Sequence, residues 1–324
     1  MVSMKAIRYQ KYGPPDVLQM QEVDKPVPKE NQVLIKIHAS SINAVDYHSR
    51  RAKPFIIRPM LGGLLGPKDP RLGSDVAGRV EAVGAEVKQF RPGDEVFGFT
   101  AGAFAEYACS RETSLTLKPA NLSFEEAASV PVGGITALQG LRDVARIQPG
   151  QKVLIQGASG SVGIFAVQLA KVFGAEVTAV CSTRNLDMAR SLGADHVIDY
   201  TREDFTRDGG KYDLIFAVNG YHSLWAYRRA LNPGGIYVCA GGTMPQIFEA
   251  LLLGPLVSRI VGKKLRSMGI SKINQDDLAY LAELLKDGKI RAVIDRRYPL
   301  SQVAEAFRYV EGTHPQGKVV ITVA

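Results

Sequence analysis

Apolar and polar positions change period once along this chain of 324 residues. In the first third they alternate. Met4 to Tyr9 does so, and Gln32 to Ala39 sets Val33, Ile35 and Ile37 against Leu34, Lys36 and His38. Asp75 to Val83, Glu95 to Phe99 and Phe104 to Cys109 follow, separated by turns such as Gly13-Pro14-Pro15, Pro26-Val27-Pro28 and Pro92-Gly93-Asp94. Period two between Gly and Pro punctuation predicts strands, here an irregular barrel-like β domain over residues 1–122. Arg51 to Arg71, rich in Pro, Gly and apolar residues, reads as a mobile loop at the mouth of a site.

From Ser123 the pattern shifts. Ser123-Phe124-Glu125-Glu126 spells a capping box, with Ser123 as N-cap and Glu126 at the third helical position. A helix over Gly134 to Val144 precedes short apolar runs at Val153–Gln156, Val177–Cys181, His196–Asp199, Leu214–Val218 and Ile236–Ala240. Helical segments lie between them: Ile164 to Phe173, Arg184 to Leu192 and Tyr221 to Leu231. Such alternation predicts a doubly wound parallel sheet over residues 123–271, with Lys264 to Gly269 as a further strand. Residues 272–324 then give a helix to about Lys286, Ile290 to Ile294, a helix over Ser301 to Val310 and a strand over Lys318 to Val323. We expect this tail to return to the first domain, leaving a cofactor cleft between the two.

The most informative stretch is Lys152 to Gly163, an apolar run ending in Gly157-Ala158-Ser159-Gly160-Ser161-Val162-Gly163. Strand, glycine turn and helix make a phosphate-binding βαβ opening, although Ala158 holds the first glycine place of the strict fingerprint. Gly160 is expected to supply backbone freedom, Ser161 and Val162 main-chain N–H groups, and Gly163 a close fit of helix to strand. At the end of the second strand stand Ser182, Thr183 and Arg184, where a carboxylate would grip the ribose of NADH. Hydroxyls and a cation point to NADPH, since arginine's planar fork of donors suits the 2′-phosphate.

Composition narrows the rest. At 46% hydrophobic residues the chain can fill a core. The apolar run Ala250 to Val257 is broken by Gly254 and Pro255, so no membrane span is expected, and the chain reads as cytoplasmic. Cys109, Cys181 and Cys239 are too dispersed for a zinc lobe or a disulfide framework. The formal net charge of +8 comes from scattered lysines and arginines with no basic tail, so no nucleic acid partner is expected. His38, His196, His222 and His314 form no catalytic constellation with Ser and Asp.

The whole chain resembles the medium-chain dehydrogenase/reductase superfamily, and within it the zinc-independent quinone oxidoreductase and enone reductase branch. The residues that carry this are Gly73 to Gly78 with Val80 to Gly84, Pro92 to Val96, Pro131 with Gly134 to Ala137, the glycine turn, Leu192 to Tyr200, and Gly317 to Val320. The resemblance implies a GroES-like irregular β-barrel catalytic domain joined to a Rossmann domain, and a homodimer. It implies hydride transfer from NADPH to a small carbonyl or quinone substrate. A 2-enoyl-thioester reductase and a non-catalytic NADPH-binding protein, structural or RNA-binding, stand as alternatives. Zinc-using members carry Cys and His ligands where this chain has Asn43 and Ser74-Asp75, so no metal is expected. Catalytic candidates are Asn43, Tyr47 and His48, in a loop after the strand ending at Ala39; relatives have Lys at the place of His48. For the cofactor the resemblance adds Thr136, Gly157, Ser159, Tyr200, Asn219, Gly241, Gly242 and Lys318 to Gly160, Ser161, Val162, Gly163, Ser182 and Arg184. Asp46 reads as a residue that holds its loop, and Lys318 as cofactor-proximal or as a surface lysine.

Overall fold

The computed structural model describes residues 2–53, 55, 58, 63–64, 66–207, 209–220, 222–241 and 264–323. In chain order it gives β1 (Ser3–Arg8), β2 (Gln19–Asp24), β3 (Gln32–Ser41), α1 (Ala44–Arg51), β4 (Asp75–Val83), β5 (Glu95–Phe99), β6 (Tyr107–Arg111), β7 (Leu115–Leu117) and α2 (Phe124–Ala128). Next come α3 (Pro131–Gln139), β8 (Lys152–Gln156), α4 (Gly163–Val172), β9 (Glu176–Cys181), α5 (Leu186–Ser191), β10 (His196–Asp199), β11 (Tyr212–Ala217), α6 (Leu224–Ala230), β12 (Leu231–Cys239) and β13 (Lys264–Ser267). The chain closes with α7 (Gln275–Lys286), β14 (Ile294–Pro299), α8 (Val303–Gly312) and β15 (Lys318–Thr322).

Two compact units result. The first takes Met1–Val132, Ile273–Asp287 and Ala292–Ala324. Its seven-stranded sheet runs β14-β15-β3-β4-β5-β7, with β6 paired to β3, and β1 and β2 form a separate antiparallel pair. The alternation in β3 sends Val33, Ile35 and Ile37 into a core with Val76, Val80, Val96 and Leu115. A second core joins Ile7, Tyr9, Phe104, Val303, Phe307 and Ile321. Strand β15 adds to β3 in antiparallel register, Val320 opposite Ser41, so the last strand of the chain lies beside the end of β3.

The second unit, Gly133–Lys272 with Gly288–Arg291, holds a six-stranded sheet in the order β10-β9-β8-β11-β12-β13. Every pair is parallel. Val153, Leu154 and Ile155 of β8 are fully buried, as a strand covered on both faces requires. The order reverses between β8 and β11, which puts the glycine turn at the topological switch point where open α/β sheets bind ligands.

Several boundaries differ from the sequence reading. The polar stretch after β3 is not a loop: Asn43 is the N-cap of helix α1, which ends at Ala52 with a left-handed φ of 45°. Helix α3 starts earlier than expected, at Pro131, and passes into a wider π-helical turn over Gly140–Ala145. There a Cβ on Gly140 would lie 2.4 Å from the Phe216 ring, so the missing side chain lets this segment settle on β11. Helix α6 begins at Leu224, because Ser223 caps it by accepting from the Ala226 N–H. The segment Ile290 to Ile294 only reaches the first residue of β14, which lies over Ile294–Pro299 after the left-handed turn at Gly288. Much of the segment Arg51 to Arg71, and Gly242, lie outside the described residues.

Candidate active site

In the second unit, the N–H groups of Gly157 and Ala158 both donate to the Val180 carbonyl, each at 3.1 Å, which ties the end of β8 to β9. Gly157 takes φ +78°, and a Cβ there would lie 2.9 Å from the Asn219 nitrogen. A Cβ on Gly163 would fall 2.1 Å from the Gly157 carbonyl oxygen, so helix α4 packs as closely on the turn as its sequence led us to expect. Gly160 is different from the expectation. Its φ is not positive, and a Cβ would meet only the Gly157 oxygen at 3.6 Å, so the backbone freedom is used at Gly157. What Gly160 supplies is open approach. Ser159, Gly160, Ser161 and Val162 are half-buried at the start of α4, where first-turn N–H groups lack acceptors within the helix and favour an anion. This cradle fits a dinucleotide pyrophosphate.

Around the turn, Thr136 on α3 is buried, with its hydroxyl 3.2 Å from that of Ser271. Asn219 is exposed after β11 and accepts from the Gly220 N–H, while Gly241 follows β12 half-buried. At the end of β9, Ser182 is half-buried and Arg184 exposed, and Tyr200 after β10 is 55% exposed. Residues 181 and 199 are register partners, so these groups rise from adjacent strand ends.

In the first unit the end of β3 carries a buried polar network that the sequence did not disclose. Asp75 is its hub. Its Oδ2 accepts from the Ser41 hydroxyl at 2.6 Å, the Asn43 amide at 2.8 Å and the Lys318 ammonium at 3.0 Å. Its Oδ1 accepts from the Val132 N–H at 2.9 Å. Lys318 also donates to Asn43 Oδ1 at 2.6 Å. The side chains of Asp75 and Lys318 are both 0% exposed. Lys318 is therefore not a surface lysine, and its ammonium presents no accessible atom for a direct cofactor contact. Asn43 is likewise buried, and its amide is spent on Asp75 and Lys318, which corrects its expected role as a donor to substrate. The other two expected donors, Tyr47 and His48, are half-buried neighbours on α1 with ring centroids 4.3 Å apart.

Electrostatics follow from burial. Asp46 holds the start of α1 as expected, accepting from the Asn43 N–H at 2.8 Å and the Ser74 hydroxyl at 2.8 Å. Desolvation pushes its carboxyl up to about 7, against the lowering effect of those bonds. Burial, with help from Arg51, lowers the His48 imidazole and so favours its neutral form. Burial also raises the Tyr47 phenol and lifts the thiols of Cys109 and Cys181 to about 11. Among the described residues, no three His, Cys, Asp or Glu side chains come together as ligands for an ion. The donor set at Asn43, Ser74 and Asp75 does not fit a divalent metal, because an ammonium already neutralises its one hub carboxylate.

Two family models match: the alcohol dehydrogenase GroES-like domain over residues 29–120 and the zinc-binding dehydrogenase over residues 192–321. A chloroplastic quinone-oxidoreductase homolog of Spinacia oleracea is 36% identical over 98% of both chains. The 2-methylene-furan-3-one reductase of Solanum lycopersicum is 37% identical over 98% of this chain and 79% of its own. The solved quinone oxidoreductase of Coxiella burnetii superposes with a TM-score of 0.86 at 30% identity, over 100% of both chains. No helix among the described residues is long and apolar enough to cross a membrane. With its GroES-like domain, its nicotinamide-type parallel sheet and relatives matched over nearly all of its own length, the chain belongs to the quinone and enone oxidoreductase branch of the medium-chain dehydrogenase/reductase superfamily.

Proposed function

We propose that this chain reduces α,β-unsaturated ketones, enals and quinones with NADPH. The observation that carries the reading is the Lys318–Asp75–Asn43 network, which fills the place of a metal's ligands with an internal ion pair. An enzyme so built offers no Lewis acid there, so its substrate must already be electron-poor. Enones and quinones meet that condition, and the names of the spinach and tomato relatives point the same way.

NADPH supplies a hydride when bound. The residues' own work is to hold, orient and donate. The amides of Ser159, Ser161 and Val162 and the start of α4 bind the pyrophosphate, flanked by Thr136, Asn219 and Gly241. Ser182 and Arg184, with Tyr200 alongside, bind the adenosine 2′-phosphate. Tyr47 and His48 donate to the substrate oxygen as negative charge develops on it. Lys318, Asp75 and Asn43 hold α1, and with it those two rings, in place.

The test is NADPH oxidation by purified protein across a panel of quinones, alkenals, cyclic enones and 2-enoyl thioesters. Turnover of quinones or enones, with NADPH bound more tightly than NADH and Arg184→Ala narrowing that difference, supports the reading. Turnover of enoyl thioesters alone, or none, overturns it. A cytoplasmic location and a homodimer belong to the same proposal, and cell fractionation and sedimentation velocity test them.

A further inference from the structure

Two adjacent hydroxyls, Ser182 and Thr183, stand at the end of β9, and their surroundings treat them in opposite ways. The Thr183 hydroxyl donates to Asp199 Oδ2, at the end of the neighbouring strand β10. Asp199 Oδ1 is taken by the Thr201 N–H at 3.0 Å and the Thr201 hydroxyl at 2.7 Å. The same hydroxyl bonds hold the Asp199 carboxyl below its ordinary value, so it remains an ionised acceptor. Thr183 has only one proton to give, and Asp199 takes it. Ser182 is reversed. Its Oγ accepts from the Nδ2 of Asn185 at 3.2 Å, and Asn185 is itself 1% exposed. With a lone pair engaged from within, the Ser182 proton has no acceptor among the described residues. A phosphate oxygen needs a donor, and Ser182 presents one.

We propose that Asn185 and Asp199 sort these two hydroxyls, so that Ser182 alone of the pair donates to the adenosine 2′-phosphate. Asn185 is then a positioning residue for cofactor choice. The inference rests on the NADPH reading above and names how that site distinguishes a phosphate from a ribose hydroxyl. Asp199 keeps the Thr183 proton turned inward and ties the ends of β9 and β10 together.

The experiment titrates NADPH and NADH by fluorescence into the wild type, Ser182→Ala, Asn185→Ala, the double variant and Thr183→Val. Ser182→Ala should weaken NADPH about 10- to 100-fold, the worth of a hydrogen bond to a charged group, and leave NADH nearly unchanged. Asn185→Ala should lower the NADPH-to-NADH affinity ratio several-fold in the wild-type background and not at all in the Ser182→Ala background, since a double-mutant cycle isolates an effect exerted through one partner. Thr183→Val should leave the ratio intact, which keeps the idea testable should the buried Asn185 variant fail to fold. Loss of the ratio in Thr183→Val, or an equal effect of Asn185→Ala in both backgrounds, would overturn the sorting while the NADPH reading stood. Equal wild-type affinity for the two cofactors would overturn the NADPH reading itself, and this inference with it.

Discussion

Replacing Lys318 by Met tests whether the buried ion pair holds the first unit together. Met keeps most of the stem's apolar volume, so the cavity contribution is small. Asp75 loses its one cationic partner but keeps three donors, at 2.6, 2.8 and 2.9 Å. Breaking a buried pair on one side costs about 3–5 kcal/mol. The surviving donors argue for the low end, and the loss of a partner at Asn43 Oδ1 adds about 1 kcal/mol or more. We expect a loss near 4 kcal/mol. Thermal melts followed by far-UV circular dichroism should show the first unit unfolding roughly 10 °C lower. The chain's one tryptophan, Trp225, lies in the second unit and reports that unit's transition separately. Adding Asp75→Asn should then restore about 1–2 kcal/mol. It removes the stranded charge, its carbonyl can still accept from Val132, and a turned Asn43 amide can accept from its new N–H group. A Lys318→Met variant within about 1 kcal/mol of wild type, or a double variant weaker than the single, would refute the reasoning.

Three further outcomes follow from the geometry. Gly163→Ala should abolish cofactor binding and destabilise the second unit, because its Cβ would sit 2.1 Å from a carbonyl oxygen; Gly160→Ala, with 3.6 Å of room, should melt close to wild type. Asp46, lifted to about 7, stabilises the fold fully below the ordinary carboxyl value and loses that contribution as pH rises toward 7, a change on the order of 4 kcal/mol. The stability difference between wild type and Asp46→Asn should therefore change across pH 4 to 7, and parallel profiles would dismiss the shift. Because burial lowers the His48 imidazole, kcat/KM should fall only on the acid side of the ordinary histidine value, and a limb unchanged in His48→Gln would remove His48 from the chemistry.

The sequence made the repeating parts of this protein legible. Period-two alternation placed β3 and its inward face, and the glycine turn lay between a recognisable strand and helix. The capping box at Ser123 and Glu126 forms as spelled, with the Ser123 N–H donating to Glu126 at 2.8 Å. Helix α1 was missed because it is short and polar, and because it ends on Ala52 in a left-handed conformation that usually announces itself as glycine. Its start was half legible. Asn43-x-x-Asp46 has the spacing of a capping box, but the Asn43 amide is drawn away to Asp75 and Lys318.

That diversion is the part no local pattern could reveal. Ser41, Asn43, Asp75, Val132 and Lys318 come from four separate stretches of chain, and only the strand order β15-β3-β4 brings three of those stretches side by side. Read alone, Asn43 looked like a donor to substrate, Ser74-Asp75 like a stand-in for metal ligands, and Lys318 like a cofactor-proximal or surface lysine. Assembled, they leave a carboxylate that four donors satisfy and an ammonium with no exposed surface. A cation of fixed position does the neutralising that a metal would do, yet its charge is sealed among protein groups and cannot polarise a substrate oxygen directly. On the function proposed above, the activation that a zinc enzyme would supply comes instead from the substrate's own conjugation and from the half-buried pair Tyr47 and His48. The network anchored at the start of α1 is, on that reading, also what narrows the chemistry to acceptors that need only a hydride and a hydrogen bond.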